Sequence, residues 1–224
     1  MIGDLSKQAD VRRIASEFLA RHDRLHLLVN NAGAIFMQRQ LSSDGLEMTF
    51  ALNHLGYFLL TNLLRDVLVK SAPARIVNVA SRAHVRGTIA FDDLQAERSF
   101  GGWSAYSQSK LANILFTREL SRRLQGTGVT CNCLHPGVVS TGFGKNDSGW
   151  MRWAVKIAAP FLRTPEQGAA TTVFLAQSPA VEGVTGKYFS DCKEIEPSKE
   201  ARDAEVAQRL WEVSEQLTGL GKDS

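Results

Sequence analysis

Tyr106 and Lys110 stand four residues apart in the segment "SAYSQSKLAN". That is about one helical turn, so a helix projects both side chains from one face. A phenol titrates near pH 10 on its own and is a poor base at neutral pH. An ammonium one turn away favours the phenolate and lowers that pKa. A phenol so tuned can pass a proton to an alcohol oxygen or take one from it. Taken alone, the spacing is also a common surface pairing on helices, but its surroundings add to it. Ser81 ends the run "IVNVAS" at the carboxyl tip of a predicted strand, where open α/β sheets bind ligands. Its hydroxyl could bond the same substrate oxygen, or cap a turn. "NNAG", Asn30 to Gly33, ends another predicted strand, and Gly33 lets backbone approach a ligand or turn with positive φ. Asn53 sits inside a helical pattern, "ALNHLG", where asparagine is a mediocre helix former. It anchors a water that relays protons through Lys110, or it is a solvent-facing residue or a local kink near Gly56.

Holding such groups together requires strands that end side by side under helices. Over residues 7–22, Val11, Ile14, Ala15, Phe18 and Leu19 follow one buried helical stripe, with Ser6 as the cap. Leu27, Leu28 and Val29 are consecutive apolar residues, the mark of a strand covered on both faces. A long helical pattern spans residues 44–70, and "ARIVNVAS" reads as a second buried strand. "FDDLQ" and "SFGGW" read as loop. The helix bearing Tyr106 and Lys110 stops near Gly126 and Gly128. "VTCNCLHPG" is a third strand, ended by Pro136 and Gly137. Residues 138–163 read as a loop with a short amphipathic helix, in which Trp150, Trp153, Ile157 and Phe161 alternate with Arg152 and Lys156. It is a lid over an apolar substrate, a membrane contact or a helix packed on the domain. Thr164, Pro165 and Gln167 form a capping-box start. "GKYFSD" is a short last strand and residues 198–217 a final helix.

Strands alternating with helices of this length imply parallel βαβ units. The expected fold is therefore α/β, a doubly wound, Rossmann-like parallel sheet, in a single domain over residues 1–224. The order of strands raises a difficulty. The first is fully apolar, yet an open edge would offer bare N–H and C=O groups to any neighbour. The expectation is a sheet lacking its first strands, or one whose edge another chain covers.

The chain has 224 residues, 44% hydrophobic and 22% charged, with a net charge of +3, which suits one globular domain with a sizeable core. No basic stripe interleaved with aromatics is present, which argues against a nucleic-acid partner. Cys131, Cys133 and Cys192 are an odd set without a disulfide framework. The Cys-x-Cys spacing is poor for a metal. His22, His26, His54, His84 and His135 show no metal spacing and read as core or surface residues; only His84, close behind Ser81, could face a substrate. No metal is expected. The cysteine usage points to a reducing, cytoplasmic setting. No apolar run of 18 residues and no charged-then-apolar leader occurs.

NNAG, the Asn53 helix, the Ser81 strand, Tyr-Ser-Gln-Ser-Lys and His-Pro-Gly together resemble the short-chain dehydrogenase/reductase family. The match runs in order from Asp4 to the C-terminus. "YSQSKLANILFTRELSRRL", "LHPGVVSTGF", "GKYFSDCK" and "RLWEVSEQLTG" look like its retinol dehydrogenase branch. The resemblance implies a catalytic Asn53, Ser81, Tyr106 and Lys110. Tyr106 would be the acid/base, Ser81 would position the carbonyl or hydroxyl, and Asn53 would hold a relay water. Lys110 would lower the tyrosine pKa and bind the nicotinamide ribose. Asn30, Ala32 and Gly33 would line the cofactor crevice with Tyr106 and Lys110. Val139 and Thr141, after Pro136 and Gly137, would contact the carboxamide region. Asp4, followed by Leu5, matches the acidic residue near the adenine.

The implied cofactor is NADP or NAD, leaning to NADP, and the implied substrate a lipophilic alcohol or carbonyl compound. Relatives of this kind imply a homo-oligomer. The family opens with a Gly-rich turn that docks the pyrophosphate, and no such sequence occurs here. The chain is therefore expected to be an N-terminally truncated fragment that binds dinucleotide poorly by itself. A non-catalytic remnant serving as a binding or oligomerisation module is the second reading. Epimerase or dehydratase chemistry on nucleotide sugars is the third, with little room for a sugar-nucleotide domain after Gly186.

Overall fold

The computed structural model describes residues 1–137 and 164–220. Its five strands lie across one sheet in chain order: β1 (Leu27–Asn30), β2 (Ala74–Val79), β3 (Val129–His135), β4 (Tyr188–Ser190) and β5 (Lys193–Glu194). The first four are parallel and β5 returns antiparallel. The two-residue β5 was not expected. It follows a two-residue turn in which Asp191 and Cys192 both hold positive φ, 54° and 59°. That mirror-image turn normally announces itself with Asn-Gly or Asp-Gly, and here it carries no glycine.

The seven helices used below are α1 (Gln8–Leu19), α2 (Met48–Phe50), α3 (Gly56–Leu63), α4 (Arg65–Lys70), α5 (Gly102–Arg123), α6 (Pro165–Gln177) and α7 (Ala204–Thr218). Strand periodicity sorts the core between two faces. Ile76 of β2 and Cys131 of β3 point to the side of α1, α3, α5 and α7, where they meet Phe58, Phe116, Leu120 and Trp211. Val77 and Leu134 point to the other side, against Leu175 of α6, Val181 and Phe189. Helices thus cover both faces, the doubly wound arrangement.

Several expected boundaries shift for physical reasons. Ser6 does not cap α1; its N–H and hydroxyl both donate to Asp4 Oδ1. The Gln8 N–H is instead met by the Asp44 carboxylate from a distant loop, 2.9 Å away. Val11 and Ala15 are buried, but Leu19 is largely exposed and lies off the stripe. The long helix of residues 44–70 starts only at Met48, where the buried Glu47 side chain accepts from Thr49 N and Phe50 N. It then widens into a π-turn over Ala51–Leu55 before α3. The final helix begins at Ala204, capped by the Asp203 side chain, after a short 3₁₀ turn over Glu200–Arg202. The Thr164–Gln167 capping box is present as expected.

The largest correction concerns β1. The described residues do not cover it on both faces. Leu28 packs into the α5 side, but Leu27 and Val29 remain 37% and 36% exposed. The residues beside them in β2, Arg75 and Val77, share their face. Arg75 binds the Leu175 and Ser178 carbonyls at the end of α6. The α6 layer therefore lies over β2 and β3, and among the described residues β1 pairs with β2 alone.

Candidate active site

Parallel pairing brings the carboxyl ends of β1, β2 and β3 to one edge of the sheet. Asn30 lies opposite Asn78, and Val79 opposite Leu134. Ala32 and Gly33 follow β1, Ser81 follows β2, and Pro136 and Gly137 follow β3. Arg82 N reaches His135 Nδ1 at 3.4 Å, tying the second end to the third.

Helix α5 passes over this edge and delivers Tyr106 and Lys110 on one face. Tyr106 is 8% exposed, and its hydroxyl comes close enough to the Ser81 hydroxyl for that group to lower its pKa. Lys110 Nζ sits 5.6 Å from the Tyr106 ring centroid and donates to the Val79 carbonyl at 3.2 Å. Ser81 also accepts from Ala83 N at 3.2 Å, so it caps the 3₁₀ helix Arg82–Arg86 and meets the tyrosine with the same oxygen. The electrostatics differ from expectation in one respect. Burial pushes the Tyr106 pKa up, and the neighbouring Ser81 hydroxyl is what draws it back. Burial lowers the Lys110 pKa to about 8. At neutral pH the pair is a protonated phenol beside an ammonium.

Asn53 lies in the π-turn and is fully buried. Its Oδ1 accepts from Ala34 N at 2.9 Å; its Nδ2 donates to Ala34 O at 2.9 Å and to Ser109 Oγ at 3.0 Å. Its amide donors thus tie the loop after β1 to α5. Gly33, in that loop, stands so close that a Cβ there would lie 3.0 Å from Asn53 Oδ1 and 3.3 Å from Lys110 Nζ. The reason for glycine here is close approach, since its φ is not in the left-handed region.

Other expected cofactor residues fare unevenly. Ala32 and Gly33 are exposed at the sheet edge. Asn30 is buried, and its Nδ2 donates to Thr61 Oγ1 and Asn78 Oδ1. Its side chain ties β1 to β2 and α3 rather than lining a crevice. Asp4 is exposed and its carboxylate accepts from Ser6, which holds its pKa down. The Leu5 carbonyl packs against Gly56, one turn past Asn53. Pro136 and Gly137 close β3, with Gly137 at φ 82°. Val139 and Thr141 lie outside the described residues, as does the Trp150–Phe161 stripe. His84 does not face a substrate. It is buried; its Nδ1 donates to Ser81 O at 2.7 Å, its Nε2 accepts from Ser198 N at 3.2 Å, and its ring is edge-on to Tyr188.

Sequence reasoning passed over three residues of the same helix. Gln108 accepts from Ala90 N and donates to Leu94 O, holding the preceding loop. Ser109 donates to Tyr106 O and receives Asn53. Asn113 donates to the Val79 carbonyl at 3.2 Å, the carbonyl that Lys110 also uses. The signal was available: Asn113 follows Lys110 by three residues and must share its face.

Against this geometry, a sequence model of the short chain dehydrogenase family matches residues 1–152. Human retinol dehydrogenase 14 is 48% identical over 228 aligned residues, covering 98% of this chain and 66% of the relative. The chain thus spans about two thirds of the length of such curated relatives. An uncharacterized protein from Mycobacterium paratuberculosis superposes with a TM-score of 0.76 at 32% identity, covering 96% of this chain and 74% of the other. The Pseudomonas aeruginosa RhlG/NADP active-site complex gives a TM-score of 0.64 at 25% identity, covering 84% and 73%.

Proposed function

This chain belongs to the short-chain dehydrogenase family, and we propose that it is an NAD(P)-dependent oxidoreductase interconverting an alcohol with an aldehyde or ketone. One observation carries this reading: the Tyr106 hydroxyl neighbours the Ser81 hydroxyl, with Lys110 Nζ beside the ring, at the carboxyl edge of a parallel sheet.

The residues present fit the nicotinamide end of a dinucleotide. An ammonium has three N–H donors, and among the described residues Val79 O is the acceptor that Lys110 meets; its other donors would hold ribose hydroxyls. Gly33 leaves backbone bare beside it. Such a cofactor, when bound, supplies or accepts the hydride. The chain's own residues do the rest. Ser81 orients the substrate oxygen, and Tyr106 exchanges its hydroxyl proton with that oxygen. Lys110, cationic below about pH 8, stabilises the phenolate as the proton leaves. A phenol kept protonated by burial is poised as an acid, which favours carbonyl reduction as the direction.

The NADP of the Pseudomonas complex supports NADP as the cofactor. The retinol dehydrogenase relatives support a lipophilic substrate. So does Trp103, exposed one turn before Tyr106 and edge-on to its ring at 6.1 Å. Cys131, Cys133 and Cys192 are free, which supports a reducing, cytoplasmic setting. Among the described residues no helix is long and apolar enough to cross a membrane.

Aldehyde-dependent NADPH oxidation by the full chain and its Tyr106→Phe variant tests the proposal. We expect turnover to fall roughly 10²- to 10⁴-fold in the variant; equal turnover would remove the tyrosine from the mechanism. A second reading, a binding or oligomerisation module, is favoured by the edge of β1, which pairs with no second strand among the described residues. It gains if neither protein turns over and both self-associate.

A further inference from the structure

His54 follows Asn53 in the π-turn and is fully buried. Phe50, Phe58 and Phe116 stand around its ring, with centroids 4.9, 6.2 and 6.1 Å away. None of them is charged, and burial pushes the His54 pKa down to about 3. The imidazole is therefore neutral, with one N–H and one bare nitrogen. Nε2 lies 2.9 Å from Ser214 Oγ of α7. The Asn113 amide lies close enough to the ring to act on its pKa, yet His54 Nδ1 and Asn113 Oδ1 are both buried with no hydrogen-bond partner. On the other side, Asn113 Nδ2 donates to the Val79 carbonyl, where Lys110 Nζ also lands.

The position of one proton decides whether these atoms match. Placed on Nε2, it points at Ser214 and leaves two bare acceptors, Nδ1 and Oδ1, in a dry interior. Placed on Nδ1, it has Oδ1 to donate to. The Ser214 hydroxyl then turns from Leu210 O, 2.7 Å away, to Nε2. Only in this second arrangement do the two orphaned atoms become a donor and an acceptor. Turning the Asn113 amide over would instead set its oxygen against the Val79 carbonyl oxygen and beside the Lys110 ammonium.

We propose that His54 is a positioning residue: its neutral imidazole carries the proton on Nδ1, donates it to Asn113 Oδ1, and so keeps the amide nitrogen on Val79 O and the amide oxygen away from Lys110. Lys110 is then left to Val79 O and to the Tyr106 side. Around Nζ stand Val79 O, the Tyr106 ring, and Asn53 with Gly33; of these only Tyr106 is titratable. Without the histidine, the amide oxygen is free to turn toward the ammonium, engage it directly and stabilise its charged form. The inference rests on Lys110 serving Tyr106 as described above, but its test does not use turnover, so the two readings fail separately.

Two measurements on the full chain decide it. The first reads the tautomer of His54 in the ¹⁵N-labelled wild-type protein by long-range ¹H–¹⁵N correlation, with the signal assigned through His54→Gln. The expected pattern is N–H at Nδ1; N–H at Nε2 overturns the proposal. The second titrates ¹³Cε-labelled lysine and follows Lys110 in the wild type, His54→Leu and His54→Gln. Leucine cannot donate, and we expect the Lys110 pKa to rise by roughly half a unit to one unit. Glutamine can still donate through its amide and should hold the wild-type value. An unchanged Lys110 in folded His54→Leu, or an equal shift in both variants, overturns the proposal. If His54→Leu does not fold, the wild-type tautomer decides alone.

Discussion

In α5 every residue from Ala105 to Thr117 is buried, whereas in β1 only Asn30 is. Both regions border the same site. The helix supplies Tyr106 and Lys110, and the strand leads into Ala32 and Gly33. Along α5 the buried polar groups largely find partners: Gln108, Ser109, Lys110 and Thr117 each hydrogen-bond a named group. Along β1 the pairing is one-sided and half the side chains meet solvent. Rigid placement of acid/base groups requires the first kind of environment, because a group held in a dry, satisfied network has one orientation. Segments with few buried contacts and exposed backbone open at low free-energy cost. The proton-handling groups are therefore preorganised by the chain described here, while the surface beside β1 is not.

The largest contrast should appear in stability. Leu115 is fully buried on the inner face of α5, and Leu115→Ala should cost about 2–5 kcal/mol through lost transfer energy and a cavity. Val29 is already part-exposed, so Val29→Ala should stay below about 1 kcal/mol. Urea unfolding followed by far-ultraviolet circular dichroism measures both. A Val29→Ala cost matching that of Leu115→Ala would break the contrast, since it would show that the face of β1 is covered in solution.

A smaller effect tests whether the buried polar face is kept for function at the expense of stability. Burial holds the Lys110 pKa at about 8, against 10.5 in the open chain. Between those values the unfolded chain binds more protons than the folded one, so stability rises with pH across that window. Below pH 8 the whole penalty is present, about 3 kcal/mol. Lys110→Met removes the charge and keeps the length. At pH 7 it should stabilise the fold by roughly 1–3 kcal/mol, and the gain should shrink as pH climbs from 8 to 10.5. A gain that does not change with pH would assign it to packing instead.

The difference between the two regions also explains what the sequence disclosed. The parallel order of strands, the Tyr106–Lys110 face and the Ser81 tip were legible because each depends on local periodicity and on where strands end. The polar clamps were not, because they join segments far apart in the chain: Asn53 to Ala34, His84 to Ser198, Asp44 to Gln8. Spacing cannot show which partner a buried amide will find. The apolar run of β1 misled for a related reason. "LLV" records a preference for burial, but whether a layer reaches it depends on where α6 packs. The π-turn over Ala51–Leu55 was half visible: Asn53, a mediocre helix former, suggested a kink near Gly56 but not its extent. Tyr106 is a further case: proximity to Lys110 was readable, but the burial that raises its pKa was not.

Gly33 marks the border between the two regions and gives the finest test of where it runs. Its backbone does not need glycine's freedom, so Gly33→Ala should cost only about 1 kcal/mol or less in stability. The new methyl would stand 3.0 Å from Asn53 Oδ1 and 3.3 Å from Lys110 Nζ. Asn53 is fixed by three hydrogen bonds, whereas Nζ is the end of a flexible chain held by the Val79 carbonyl. The lysine should therefore give way. Small displacements of a reacting group are costly, so turnover should drop roughly tenfold or more while the unfolding midpoint barely moves. If instead the midpoint falls as it does for Leu115→Ala and the Lys110 titration is unaltered, the loop after β1 belongs to the rigid side. The soft region would then begin within β1 itself, at Leu27 and Val29.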